Sequence, residues 1–149
     1  MLLGIPRVIS SQLIRILMEM GHGDELVIAD ANFPAHAIAK DTVTQEVVSC
    51  PGVGTPELVD AVLKLMPLDY ATDRPVTGMA VPAGQDTPPI HGRYADILTA
   101  HGYSVEKMEF LPRFDFYDRA CKSYAIVLTG ETARFANVII KKGVITDPV

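Results

Sequence analysis

The residues of this chain best suited to chemistry on a small polar molecule are a histidine between two glycines, a carboxylate closing an apolar run, and a late asparagine. The first stretch is Gly21-His22-Gly23-Asp24-Glu25, which leads through Leu26-Val27-Ile28-Ala29 into Asp30. The second is Thr129-Gly130-Glu131, followed by Phe135 and Asn137. An imidazole, with an ordinary pKa of ~6.5, exchanges protons near neutrality, so His22 suits a general acid or base. Its flanking glycines let a ligand approach the backbone. The same position also suits a helix-terminal histidine that bonds the last carbonyls and complements the dipole.

Asp30 sits just past an apolar strand, at the edge where open α/β sheets place their ligands. A turn or helix-capping aspartate fits that position as well. Eight residue steps from His22 to Asp30 span up to ~26 Å when extended. Either the chain folds back between them, or neighbouring subunits complete one site. Arg113 lies in Leu111-Pro112-Arg113-Phe114-Asp115-Phe116-Tyr117. Its guanidinium can fork onto sugar hydroxyls or a carboxylate, or pair at the surface with Asp115 or Asp118. Thr129-Gly130-Glu131 also reads as a plain turn, and Asn137 as the start of a strand. His36, His91 and His101 read as loop or helix-end residues, and no histidine pair has metal-ligand spacing. Gly52-Val53-Gly54 lacks the Gly-Lys-Ser/Thr ending of a phosphate loop, and helix capping explains it better.

The elements that must position these residues follow from periodicity. Ser10 or Ser11 caps a helix with Leu13, Ile16, Leu17 and Met20 on one face, stopped by Gly21. Leu26–Ala29 is a strand, and residues 30–36 read as a loop. Val43–Val48 reads as a short strand. Thr55 as cap, Pro56 at the first helical position and Glu57 in the first turn open a helix through Met66. Val76–Val81 is a strand, and Pro82–Pro89 a Gly/Pro-rich loop. A helix from about Gly92 to His101 precedes a strand over Val105–Phe110. Phe116–Lys122 is helical, and Tyr124–Leu128 and Asn137–Lys141 are apolar strands. This alternation predicts one α/β domain in three layers, α/β/α, with helices on both faces of the sheet.

Composition narrows the function. A chain of 149 residues suits one domain with a sizeable core and leaves no room for a separate cofactor domain. Its hydrophobic fraction of 48% and mean hydropathy of +0.22 leave surplus apolar surface for subunit contacts. A net charge of -5 without a basic run argues against nucleic acid or an anionic membrane as partner. Apolar runs fall far short of the ~20 residues of a membrane helix, and no signal peptide is indicated. Cys50 and Cys121 lack Cys-x-x-Cys spacing and read as reduced thiols of a cytoplasmic protein.

Together these motifs resemble the L-fucose mutarotase and D-ribose pyranase family, most closely its fucose mutarotase branch. The resemblance covers nearly the whole chain. It rests on Glu19–Glu25, on Asp30 with Phe33-Pro34-Ala35-His36, on Arg113–Tyr117 with Arg119-Ala120, and on Thr129–Glu131 to Asn137 with Lys141-Lys142-Gly143-Val144. It implies a single sugar mutarotase domain over residues 1–149, with a mixed sheet and a D-ribose pyranase-like fold. The implied activity is a cofactor-free, metal-free isomerase that interconverts the anomers of L-fucose or a related aldose. His22 matches the family's proton donor, while Asp30, Arg113 and Asn137 match substrate-binding positions, with Asp30 expected to orient His22 or to bind and deprotonate a hydroxyl. The family tyrosine two places before the final asparagine is Phe135 here. The resemblance further implies a large homo-oligomeric ring, such as a decamer, with sites near subunit contacts. A D-ribose-type pyranase and a non-catalytic sugar-binding oligomer are the rival expectations, and a metal-dependent isomerase lacks its ligand spacing.

Overall fold

The computed structural model describes residues 2–146, so Met1 and the last three residues of the expected 1–149 domain lie outside the described residues. Helix α1 (Ser11–Glu19) begins where Ser10 Oγ accepts the Leu13 amide at 3.1 Å, the cap expected from the sequence. Its buried Leu13, Ile16 and Leu17 recur at helical spacing, and each contributes about 1.5–3 kcal/mol by leaving water. Strand β1 (Glu25–Ala29) follows, then a five-residue helix α2 (Ala35–Ala39). The sequence reads that segment as loop because one turn of helix is too short to show a period.

Strand β2 (Val47–Cys50) lies later than the expected Val43–Val48. The preceding residues are held in a turn by Thr42 Oγ1, which accepts the Gln45 amide at 3.2 Å. Helix α3 (Thr55–Leu63) is capped by Gly54, with Thr55 already inside it. The Thr55 hydroxyl is engaged elsewhere, donating to the Tyr94 hydroxyl at 2.6 Å. Strand β3 (Val76–Met79) leads to helix α4 (Pro89–Ala100), which begins at a first-turn proline, ahead of the expected Gly92. A 3₁₀ turn (Val105–Lys107) precedes strand β4 (Met108–Leu111). Helix α5 (Arg113–Ala120) starts three residues before the expected Phe116, immediately after Pro112. Strands β5 (Ala125–Thr129) and β6 (Val138–Lys141) close the chain.

The six strands form one mixed sheet in the order β2-β5-β1-β6-β3-β4. β1 pairs parallel with β5, β5 with β2, and β3 with β4, whereas β6 runs antiparallel between β1 and β3. Alternate residues of β1 serve opposite layers. Leu26 and Ile28 pack into the larger core with α1, α3 and α4, and Val27 and Ala29 into the smaller one with α2 and α5. Helices therefore cover both faces, the three-layer α/β architecture expected. Among the described residues, no helix is long and apolar enough to cross a membrane. The topology has one consequence for function: the C-terminal ends of β1, β3, β4 and β5 meet the start of β6 at one edge of the sheet.

Candidate active site

At that edge a cavity of about 860 Å³ opens, within the range of small-molecule sites. Asp30, Arg113, Phe135 and Asn137 all line it, joined by Phe33, Met79, Tyr117 and Arg134. Asp30 is buried at the end of β1, and each oxygen of its carboxylate accepts one hydrogen bond, which leaves acceptor capacity for a ligand. Oδ1 accepts the Asn32 amide at 2.9 Å, and Oδ2 accepts Asn137 Nδ2 at 2.9 Å. The Asp30 amide in turn donates to Asn137 Oδ1 at 2.8 Å. Burial pushes the Asp30 carboxyl above the usual carboxylate range, against the opposing hydrogen bonds from Asn32 and Asn137. The other face of Asn137 Nδ2 meets Met79 Sδ at 3.7 Å. A thioether is a weak acceptor, so a sugar hydroxyl can replace it.

The cavity wall is aromatic and cationic. Tyr117 and Phe33 meet edge to face with centroids 5.4 Å apart. The Arg113 guanidinium lies 4.7 Å from the Phe114 ring centroid, and Arg134 lies 5.1 Å from that of Phe135. Phe135 itself has φ +56°, the left-handed region that side chains with a Cβ rarely adopt.

Thr129-Gly130-Glu131 supports this edge. Thr129 Oγ1 donates to the Ala29 carbonyl at 2.8 Å, and the Glu131 carbonyl accepts the Ala31 amide at 2.8 Å, so the turn braces Asp30 from both sides. A Cβ at Gly130 would run into the Pro51 carbonyl, which is why glycine occupies the turn.

His22 lies elsewhere. It occupies the turn before β1, while Asp30 follows β1, and a five-residue strand of about 16 Å runs between them without folding back. Its partner is not Asp30. His22 Nε2 donates to Asp69 Oδ1 at 2.9 Å, an acceptor that also takes the Ala71 amide at 2.9 Å. A carboxylate can only accept, so Nε2 carries hydrogen and Nδ1 is the nitrogen left for other work. The Asp69 side chain is 7% exposed and that of His22 48%. The Ala71 amide, and then His22, hold the Asp69 carboxyl below the usual range. Tyr70, 74% exposed, stacks beside His22 with centroids 6.5 Å apart.

The end of β6 ties this second centre together. The Lys142 carbonyl accepts the Gly23 amide at 2.9 Å, and Lys142 Nζ donates to the last carbonyls of α1 at Leu17 (2.8 Å) and Met20 (2.6 Å). The Asp69 amide donates to the Lys141 carbonyl at 3.0 Å. Gly143 passes so near the Leu68 carbonyl that a Cβ would collide with it.

Of the residues singled out in the sequence, four are brought together, and His22 stands at the opposite sheet edge with Asp69. Asp69 and Arg134 carried no periodic or motif signal, whereas Phe33 and Tyr117 lay within motifs of the family resemblance without being singled out for the site.

The model of the RbsD / FucU transport protein family matches residues 3–145. The chain is 43% identical over 145 residues to the L-fucose mutarotase of Actinobacillus pleuropneumoniae serotype 5b (strain L20), covering 97% of each. It is 41% identical over 146 residues to the fucose mutarotase of Homo sapiens, covering 95% of this chain and 93% of the human one. A crystal structure of the fucose mutarotase of Streptococcus pneumoniae in complex with L-fucose superposes with a TM-score of 0.91 at 47% identity, covering 97% of this chain and 100% of that one. Bacillus subtilis RbsD complexed with D-ribose shares the fold at a TM-score of 0.72, with 21% identity over 92% of this chain and 95% of its own. A match over this span and identity, on a chain whose buried Asp30–Asn137 pair lines a cavity of small-molecule size, makes it a member of the RbsD/FucU family.

Proposed function

We infer that this protein is a mutarotase, an isomerase that interconverts the anomers of L-fucose or a closely related aldose. The observation that carries the reading is the division of the polar machinery between the two sheet edges. One edge holds a cavity with Asp30 locked to Asn137, and the other presents His22 on Asp69. Each half bears an exposed aromatic, Phe114 (67%) beside the cavity and Tyr70 (74%) beside His22. Association that seats the His22 edge of one subunit on the cavity edge of the next covers both aromatics and completes the site. This supports a homo-oligomer built by a heterologous, head-to-tail contact, which closes into a ring such as a decamer.

The chemistry needs two proton movements. Ring opening requires a proton delivered to the pyranose ring oxygen and one withdrawn from the anomeric hydroxyl, and closure on the other carbonyl face reverses both. His22 delivers the first from Nδ1, with Asp69 holding the imidazole by Nε2. Asp30 binds a sugar hydroxyl in the cavity and accepts its proton. Arg113, Asn137 and the Phe135 wall hold the remaining hydroxyls, so the open aldehyde turns without escaping. The two free thiols, Cys50 and Cys121, fit a reducing compartment such as the cytoplasm.

Saturation transfer between anomeric protons, followed by NMR over a panel of fucose, galactose and ribose, tests the reading. Accelerated exchange that is greatest for fucose supports it. A ribose preference favours a pyranase, and sugar binding without accelerated exchange favours a non-catalytic binder.

A further inference from the structure

Two carbonyls behind the cavity wall face away from it, into α4. His91 Nε2 lies 2.8 Å from the Phe135 carbonyl, and since a carbonyl only accepts, that nitrogen carries hydrogen. One turn along the helix, the Tyr94 hydroxyl donates to the Ala136 carbonyl while accepting from Thr55 Oγ1 at 2.6 Å. Both α4 side chains are buried, and the His91 ring packs on Phe110 with centroids 4.7 Å apart. The residue whose carbonyl His91 holds is the one at φ +56°, and Asn137, the lock on Asp30, is only two residues on. The left-handed conformation is disfavoured for phenylalanine and persists only where its surroundings enforce it. His91 is placed to enforce it.

We propose that His91 is a positioning residue, which through its hydrogen bond to the Phe135 carbonyl fixes the cavity wall and the registry of Asn137 on Asp30. The proposal rests on the sugar-binding reading of the cavity, although its effect on the backbone does not. His91 touches neither the sugar nor the proton path. Its loss therefore weakens sugar binding and leaves the proton transfer by His22 intact. A second cavity, of about 410 Å³, lies against His91 and Phe110 and gives room for substitutes at this position.

The test compares His91→Gln, His91→Asn and His91→Leu in the full-length assembly. Glutamine places an amide N–H near the reach of Nε2, asparagine falls about one bond short, and leucine has no donor. The KM for fucose should rise roughly five- to tenfold in the leucine and asparagine variants and stay within about twofold of the parent in the glutamine one, with kcat falling by less than KM rises, because only the Asp30 half of the proton path depends on this registry. Crystal structures should show Phe135 leaving its positive φ in the first two and keeping it in the third. A role in folding alone would lower thermal stability without this ordering of KM. Equal KM for glutamine and asparagine, or an unmoved Phe135 in both deficient variants, overturns the proposal. Failure of the parent itself to exchange anomers would instead sink the sugar reading, and the conformation of Phe135 would still decide the role of His91.

Discussion

Asp30 and Asn137 are joined twice across 107 positions of sequence: the Asp30 amide donates to Asn137 Oδ1 at 2.8 Å, and Asn137 Nδ2 donates to Asp30 Oδ2 at 2.9 Å. Because β6 runs antiparallel beside β1, the first residue before one strand meets the first residue after the other. The pair keeps a carboxylate buried and aimed, which an isolated carboxylate could not be at so low a cost.

Asn137→Ala should leave the Asp30 amide and Oδ2 unpaired. The expected loss of stability is about 1–3 kcal/mol, with a matching loss of sugar affinity. Urea denaturation together with calorimetric fucose titration checks this. Parent stability and affinity would show that water substitutes fully for the amide.

His22→Gln should slow anomer exchange by about 100- to 10,000-fold, since general acid groups contribute on that scale. His22 is half-exposed, so the fold should survive. Exchange at the parent rate would remove His22 from the mechanism.

Asp30 and Asp69 should act on stability in opposite senses as pH changes. Burial raises the Asp30 carboxyl above its ordinary value of 3.8, so its contribution is full below that value and lost as pH rises through the raised one. The Ala71 amide and His22 lower Asp69, so its contribution is present above 3.8 and lost as pH falls through the lowered one. Asp30→Asn should flatten the first loss and Asp69→Asn the second. Urea midpoints across the acid range decide, and curves parallel to the parent's for both variants would contradict the assignment.

Phe135→Tyr should add a hydroxyl at the cavity wall. A net hydrogen bond of about 0.5–1.5 kcal/mol changes apparent affinity roughly two- to tenfold, and by different amounts for different sugars. Identical kinetics across the sugar panel would show that Phe135 contributes only shape.

Much of this was legible in the sequence, for identifiable reasons. Strands β1, β5 and β6 are continuous apolar runs because both of their faces are buried, and α1 shows its buried stripe and its Ser10 cap. Asp30 and Arg113 declared themselves as polar residues at element ends, and the run from Thr129 to Asn137 through the family resemblance. Helix α2 was hidden because five residues carry no period. Asp69 was hidden because its link to His22 spans 47 residues and depends on β6 stitching two turns together. His91 looked like a helix-end histidine because its helix was placed to start at Gly92, whereas Pro89 starts it and turns the imidazole toward Phe135. The separation of His22 from Asp30 was foreseen as a choice between a folded chain and a shared site, and the extended course of β1 removes the first alternative within one subunit.

The central claim, that His22 of one subunit works on sugar held by Asp30 of another, is tested most directly by complementation. His22→Gln and Asp30→Asn proteins, each nearly inactive, are dissociated, mixed in equal amounts and reassociated, with light scattering to confirm assembly. Anomer exchange of fucose is then read by saturation-transfer NMR. A site shared between neighbours predicts recovery of about a quarter of parental activity, because random mixing pairs an intact His22 with an intact cavity at that frequency. Mixed assemblies that form fully yet stay as inactive as their parents would show both residues serving one subunit's site, and would contradict the account.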